Sequence, residues 1–105
     1  MFLRKKVDIS VGLEEFGRLA GRGVLIDVRN PSERKHGYIP GSVNMPLNQL
    51  KSAAKFIPDF DTPVFLYCAN GARAERAAKR LRRAGYKNIK SIGGVEGYRG
   101  ELMRG

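Results

Sequence analysis

One cysteine, Cys68, and one histidine, His36, supply all the thiol and imidazole chemistry available to this 105-residue chain. A lone cysteine forms no internal disulfide and builds no multi-cysteine zinc site, which fits a reducing compartment. With only one histidine beside it, no metal and no other cofactor is expected. Long apolar runs are missing too. Met1-Phe2-Leu3 is followed at once by Arg4, Lys5 and Lys6, so this segment reads as neither a signal peptide nor a membrane span, and a cytoplasmic protein is expected. No repeat, linker or low-complexity stretch interrupts the sequence. Its length suits one modest core, so residues 1–105 are expected to form a single domain.

Acidic side chains are scarce: ten Asp and Glu stand against twenty Lys and Arg, a net charge of +10. The excess is concentrated between Arg73 and Lys90, where eight basic residues and the single acid Glu75 give +7. Such a field attracts anionic small molecules and, less selectively, an acidic protein or nucleic acid. It also serves simply as a solvated face, and nucleic acid is the weakest of these expectations.

The hydrophobic fraction of 42% is that of an ordinary globular protein, and its pattern alternates between short strands and helices. Val7–Ile9 reads as a short edge strand and Ser10 as a helix cap. Leu13, Phe16, Leu19 and Ala20 make a helical stripe ended by Gly21-Arg22-Gly23. Residues 24–28 are continuously apolar except for Asp27, which predicts a central strand covered on both faces. Pro31 opens a brief helix over 31–36, residues 37–41 form a loop, and 42–45 a third strand. Pro46 then opens a helix with Leu47, Leu50, Ala54 and Ile57 on its buried side. Val64–Tyr67 predicts a buried strand, 73–84 a helix with Ala74, Ala77, Ala78, Leu81 and Ala84 as its apolar stripe, and Gly85 its stop. A last strand near 89–92 and a short C-terminal helix follow. The alternation predicts an α/β protein with a largely parallel sheet, whose ligands gather at the carboxyl ends of the strands.

Cys68 lies at such an end, followed by a loop and then by the basic helix. The first turn of a helix exposes backbone N–H groups and the positive end of the peptide dipoles, so an anion is stabilised there. A thiolate is such an anion. With Gly71 permitting tight curvature and Arg73 supplying charge, Cys68 is a candidate nucleophile rather than an inert core thiol.

Three blocks resemble the rhodanese sulfurtransferase domain over nearly the whole chain: Leu25-Ile26-Asp27-Val28-Arg29-Asn30-Pro31-Ser32-Glu33; Gly37-Tyr38-Ile39-Pro40-Gly41-Ser42-Val43-Asn44-Met45-Pro46; and Cys68-Ala69-Asn70-Gly71-Ala72-Arg73 with Gly93-Gly94-Val95-Glu96-Gly97-Tyr98. The resemblance implies a five-stranded sheet flanked by helices on both faces, with Cys68 catalytic and Ala69, Asn70, Gly71, Ala72 and Arg73 cradling its persulfide. It also implies a thiosulfate-like anionic donor and a thiophilic acceptor, which is cyanide, a thiol or a protein. Asp27 and Arg29 are expected in a supporting polar network. Four residues separate Cys68 from Arg73, one fewer than in rhodanese-like phosphatases, which fits a single sulfur better than a phosphate. Tyr38 and Tyr98 stand where the family often has histidine and tryptophan, with His36 a partial substitute for the former. Ala69 and Ala74 replace a charged residue and a serine found in some of its loops. The competing expectation is a non-catalytic carrier or binding module that docks an acidic partner through the basic helix.

Overall fold

The computed structural model describes residues 8–104. Its helices and strands are α1 (Ile9–Arg18), β1 (Val24–Asp27), α2 (Pro31–Arg34), β2 (Ser42–Asn44), α3 (Ala53–Phe56), β3 (Val64–Cys68), α4 (Ala72–Ala84) and β4 (Ile89–Gly94). Short 3₁₀ segments cover Leu47–Ser52 and Val95–Gly97.

The sheet runs in the order β2-β1-β3-β4, and all three strand pairings are parallel. Four strands are present among the described residues instead of the five expected. Val7 lies outside those residues, and Ile9 belongs to α1. The carboxylate of Asp8 accepts the backbone N–H and the hydroxyl of Ser10, both at 2.9 Å. Asp8 is therefore the helix cap in place of Ser10, and the cap turns the chain helical where an edge strand was expected.

Side chains alternate across the sheet, as the period-two geometry of a strand requires. Leu25, Phe65, Tyr67 and Ile92 pack with Ile9 and Ile39 on the α1 side. Ile26, Val64, Leu66 and Cys68 pack with Ala74, Ala77, Ala78 and Leu81 of α4 on the other. Both faces of the sheet are covered, which explains why β1 and β3 are apolar at successive positions. The close seat of α1 depends on Gly12, where a Cβ would come within 2.3 Å of Ile92.

Two helices depart from expectation. Pro46 is followed by 3₁₀ rather than α geometry, so at three residues per turn Leu47, Leu50 and Ala53 fall in line. Ala53 is buried in place of the expected Ala54, which is exposed. The stripe of α4 ends at Leu81, leaving Ala84 exposed, because Gly85 turns left-handed at φ 115°. Tyr86 then folds inward, and its hydroxyl donates to the Ile57 carbonyl at 2.5 Å.

Candidate active site

β3 ends on Cys68 and α4 begins at Ala72, so three residues connect them where a strand ending at Tyr67 and a helix opening at Arg73 were expected. Gly71 makes this brevity possible. It adopts φ 101°, a left-handed conformation that suits glycine, and its carbonyl accepts the first helical bond from Glu75 N–H at 3.0 Å. The chain reverses within one turn, and α4 points its N-terminal end back at the cysteine.

The Cys68 sulfur accepts the N–H of Gly71 at 2.9 Å and that of Ala74 at 3.4 Å. Donors directed at one sulfur atom, at the positive end of a thirteen-residue helix, favour negative charge on it. The donor set is narrower than a loop of five N–H groups over 69–73 would give. Ala72 N–H is taken by the Asn70 side-chain carbonyl at 3.0 Å, and Ala69 contributes its own carbonyl to Glu96 N–H at 3.1 Å. Cys68 itself is fully buried, at 0% exposure.

The loop rests on the end of β4. Between Leu66 and Cys68 the pairing slips: Leu66 faces Ser91 and Cys68 faces Gly94, so β4 carries one extra residue. This bulge brings Gly93 and Gly94 under the loop. A Cβ on Gly94 would lie 2.2 Å from the Ala69 carbonyl oxygen, and one on Gly71 would lie 3.4 Å from Gly93 Cα. Backbone packs on backbone here, which only glycine permits at Gly94.

Arg73 does not reach the sulfur by a hydrogen bond. Its two terminal nitrogens donate to the two Glu33 oxygens at 2.6 and 2.8 Å, a bidentate pair joining α4 to α2. Glu33 also accepts the backbone N–H of Asn30 at 3.0 Å. The Arg73 bonds hold the Glu33 pKa down at about 2, and the same bonds raise that of Arg73. Glu33 was not among the expected site residues. Its sequence signal is slight: an acid three residues after an Asn that precedes a proline-opened helix, the reaching-back half of a capping box.

Asp27 and Arg29, at the carboxyl end of the neighbouring strand, bind each other. Asp27 is 0% exposed and Arg29 5%. The Arg29 side chain donates to Asp27 through Nε at 3.0 Å and Nη2 at 2.8 Å, and its backbone N–H adds a third bond at 2.9 Å. Burial disfavours the charged guanidinium, but the Asp27 bonds outweigh it, and the Arg29 pKa is raised. Arg34 and the Tyr67 hydroxyl donate to the same carboxylate at 3.3 and 3.1 Å. Arg34 also binds the hydroxyl and carbonyl of Ser42 and stacks 3.9 Å from the Tyr38 ring. The cluster is closed by Tyr67, whose pKa burial pushes up and whose oxygen accepts Ile39 N–H at 3.1 Å. No buried side-chain polar atom among the described residues lacks a partner, as a buried ion pair requires. His36 is exposed and adds nothing to this cluster; Tyr38 meets Arg34 instead. Tyr98 packs against the α1-side core. Among the described residues no cluster of His, Cys, Asp and Glu is fit to hold a metal ion, and no helix is long and apolar enough to cross a membrane.

Known proteins share both this sequence and this fold. A rhodanese-like domain matches residues 13–101. The uncharacterized protein YqhL of Bacillus subtilis is 42% identical over 90 residues, covering 85% of this chain and 71% of that one. Thiosulfate sulfurtransferase PspE of Escherichia coli is 32% identical over 72 residues, covering 68% of this chain and 69% of that one. Other curated relatives are longer, and the chain spans 55% and 26% of two of them. Among solved structures, one described as a rhodanese with anions from E. coli superposes with a TM-score of 0.74 at 28% identity, covering 79% of this chain and 99% of that chain. A family match that runs from within α1 to beyond the last 3₁₀ turn, with sequence relatives and a solved fold in agreement, places the chain in the rhodanese-like sulfurtransferase family.

Proposed function

We propose that the protein moves a sulfane sulfur from an anionic donor such as thiosulfate, through a persulfide on Cys68, to a thiophilic acceptor. The Cys68 thiolate attacks the outer sulfur of the donor. A new S–S bond forms, the donor's own S–S bond breaks, and sulfite leaves with the bonding pair. The acceptor, which is cyanide, a thiol or a protein thiol, then attacks the outer sulfur of the persulfide, and Cys68 departs as thiolate. The attack uses no general base from a histidine, which agrees with the exposed position of the only one. Gly71 and Ala74 N–H stabilise the anionic sulfur, and the remaining donors of Arg73, held in place by Glu33, orient the donor's oxygens.

The observation that carries this reading is the pair of backbone N–H groups converging on the Cys68 sulfur at the N-terminal end of α4. Intact mass after incubation with thiosulfate tests it. The expected result is a gain of one sulfur atom that cyanide removes and that Cys68→Ala lacks; an unchanged mass would sink the proposal. The full burial of Cys68 favours a second reading, a binding module without turnover. That reading requires a sulfur that thiosulfate does not reach, and the same spectrum separates the two.

A further inference from the structure

An open groove of about 710 Å³ lies between α4 and the 3₁₀ segment Leu47–Ser52. Its floor includes Leu47, Leu50 and Leu81, and its rim carries Arg73, Arg80 and Lys51. Arg73 stands in the first turn of α4, directly after the cysteine loop, so one end of the groove lies beside that loop and the rest runs outward along the helix to Arg80 and Ala84. Arg80 is anchored across it by a bond to the Leu47 carbonyl at 3.2 Å. The described ion pairs involve Arg18, Arg29, Arg34, Arg73, Lys87 and Lys90. Lys51 and Arg80 are not among them, so the groove's uncompensated positive charge rests on these two. No lining residue is acidic, and none is aromatic.

We infer that this groove docks an acidic, partly apolar segment of a protein sulfur acceptor, whose own thiol is thereby brought to the Cys68 loop. The inference rests on the sulfurtransferase reading for its chemistry and on charge complementarity for its partner. Leu47 and the aliphatic stems of Lys51 and Arg80 receive apolar side chains, while the cationic ends receive carboxylates. Nucleic acid fits less well, because a groove for single strands stacks bases on aromatic rings and this one has none. A small thiol would use only the inner end, whereas the groove continues past Arg73 to Lys51 and Arg80. In the transfer step the acceptor thiol loses its proton to solvent and attacks the outer persulfide sulfur. The S–S bond to Cys68 breaks, and the acceptor leaves carrying the persulfide.

The probe is a fluorescein-labelled synthetic peptide of alternating Glu and Leu ending in one cysteine, followed by anisotropy at low salt. Lys51→Glu with Arg80→Glu is expected to weaken its binding about tenfold. Lys79→Glu with Arg83→Glu, the same charge change on the outward face of α4, is expected to alter it little. The ratio of sulfur transfer to the peptide over transfer to cyanide should fall only in the groove pair. The proposal is overturned if both pairs weaken binding equally, if a Gln-for-Glu peptide binds as well, or if a labelled single-stranded oligonucleotide binds more tightly and loses affinity in the groove pair. Absence of peptide binding at low salt overturns it as well. Binding repeated with Cys68→Ala keeps the two proposals apart: failed sulfur chemistry leaves docking intact, and failed docking leaves the thiosulfate mass gain intact.

Discussion

At the scale of single residues, two charge pairs sit near Cys68 in different surroundings. The Asp27–Arg29 pair is closed off from water, and removing one member leaves the other uncompensated in the interior. Asp27→Ala is expected to cost about 3–5 kcal/mol, read as a lowered urea midpoint with an unchanged m-value. The Arg73–Glu33 pair is half-buried, with side-chain exposures of 27% and 33%, so solvent screens it and its contribution is at most about 1 kcal/mol. Its pH dependence has a definite sign. Glu33 ionises at about 2 in the folded protein against an ordinary value of 4.5, so the folded state favours the carboxylate. The stabilisation is fully present above pH 4.5 and is lost as pH falls toward about 2. Urea titrations of wild type and Glu33→Gln should therefore differ near neutrality and converge in strong acid. A difference that persists unchanged below pH 2 would assign Glu33 another role. Glu33→Gln also removes the carboxylate that holds the Arg73 guanidinium in place, and the expected kinetic signature is a higher KM for thiosulfate with little change in kcat.

At the scale of elements, the site is a junction between the end of β3, the start of α4 and the bulged end of β4. The sequence marks Gly93-Gly94 as the lead into a short C-terminal helix and as part of the third rhodanese-like block; its task in the fold is to let β4 pass beneath the cysteine loop. Gly94→Ala places a methyl 2.2 Å from the Ala69 carbonyl oxygen, so either the loop or the strand end must move. The expected outcome is loss of persulfide formation in a protein that still folds, measured by intact mass beside the far-ultraviolet circular dichroism spectrum. Full sulfur uptake by Gly94→Ala would show that the loop does not depend on this contact.

At the scale of the whole molecule, the net charge of +10 is tempered by pairing. Lys90 binds Glu15, and Lys87 faces Asp61, while the solvent side of α4 stays strongly positive. A field of this kind draws anionic donors and is screened by salt. kcat/KM for thiosulfate is expected to fall as ionic strength rises, and to fall less for a variant with Lys79 and Arg83 both changed to Gln. A salt-independent rate would mean that only the local pairs matter.

The alternation of strands and helices, the strand-end position of Cys68, the stop at Gly85 and the two-sided burial of β1 and β3 were all determined by the sequence itself, because each follows from local periodicity and local backbone preference. Tertiary structure decided the rest. Whether Pro46 opened an α or a 3₁₀ turn depended on which face packed, and that choice buried Ala53 and exposed Ala54. Arg73 was legible as a cation beside the cysteine, but its partner lies forty residues earlier, and the pair exists only because parallel strands bring their carboxyl ends to one edge of the sheet. The same convergence joins Asp27 to Tyr67, forty residues later, and sets Gly94 under Ala69. Contacts at such separations carry no local periodicity, so packing alone assigns them.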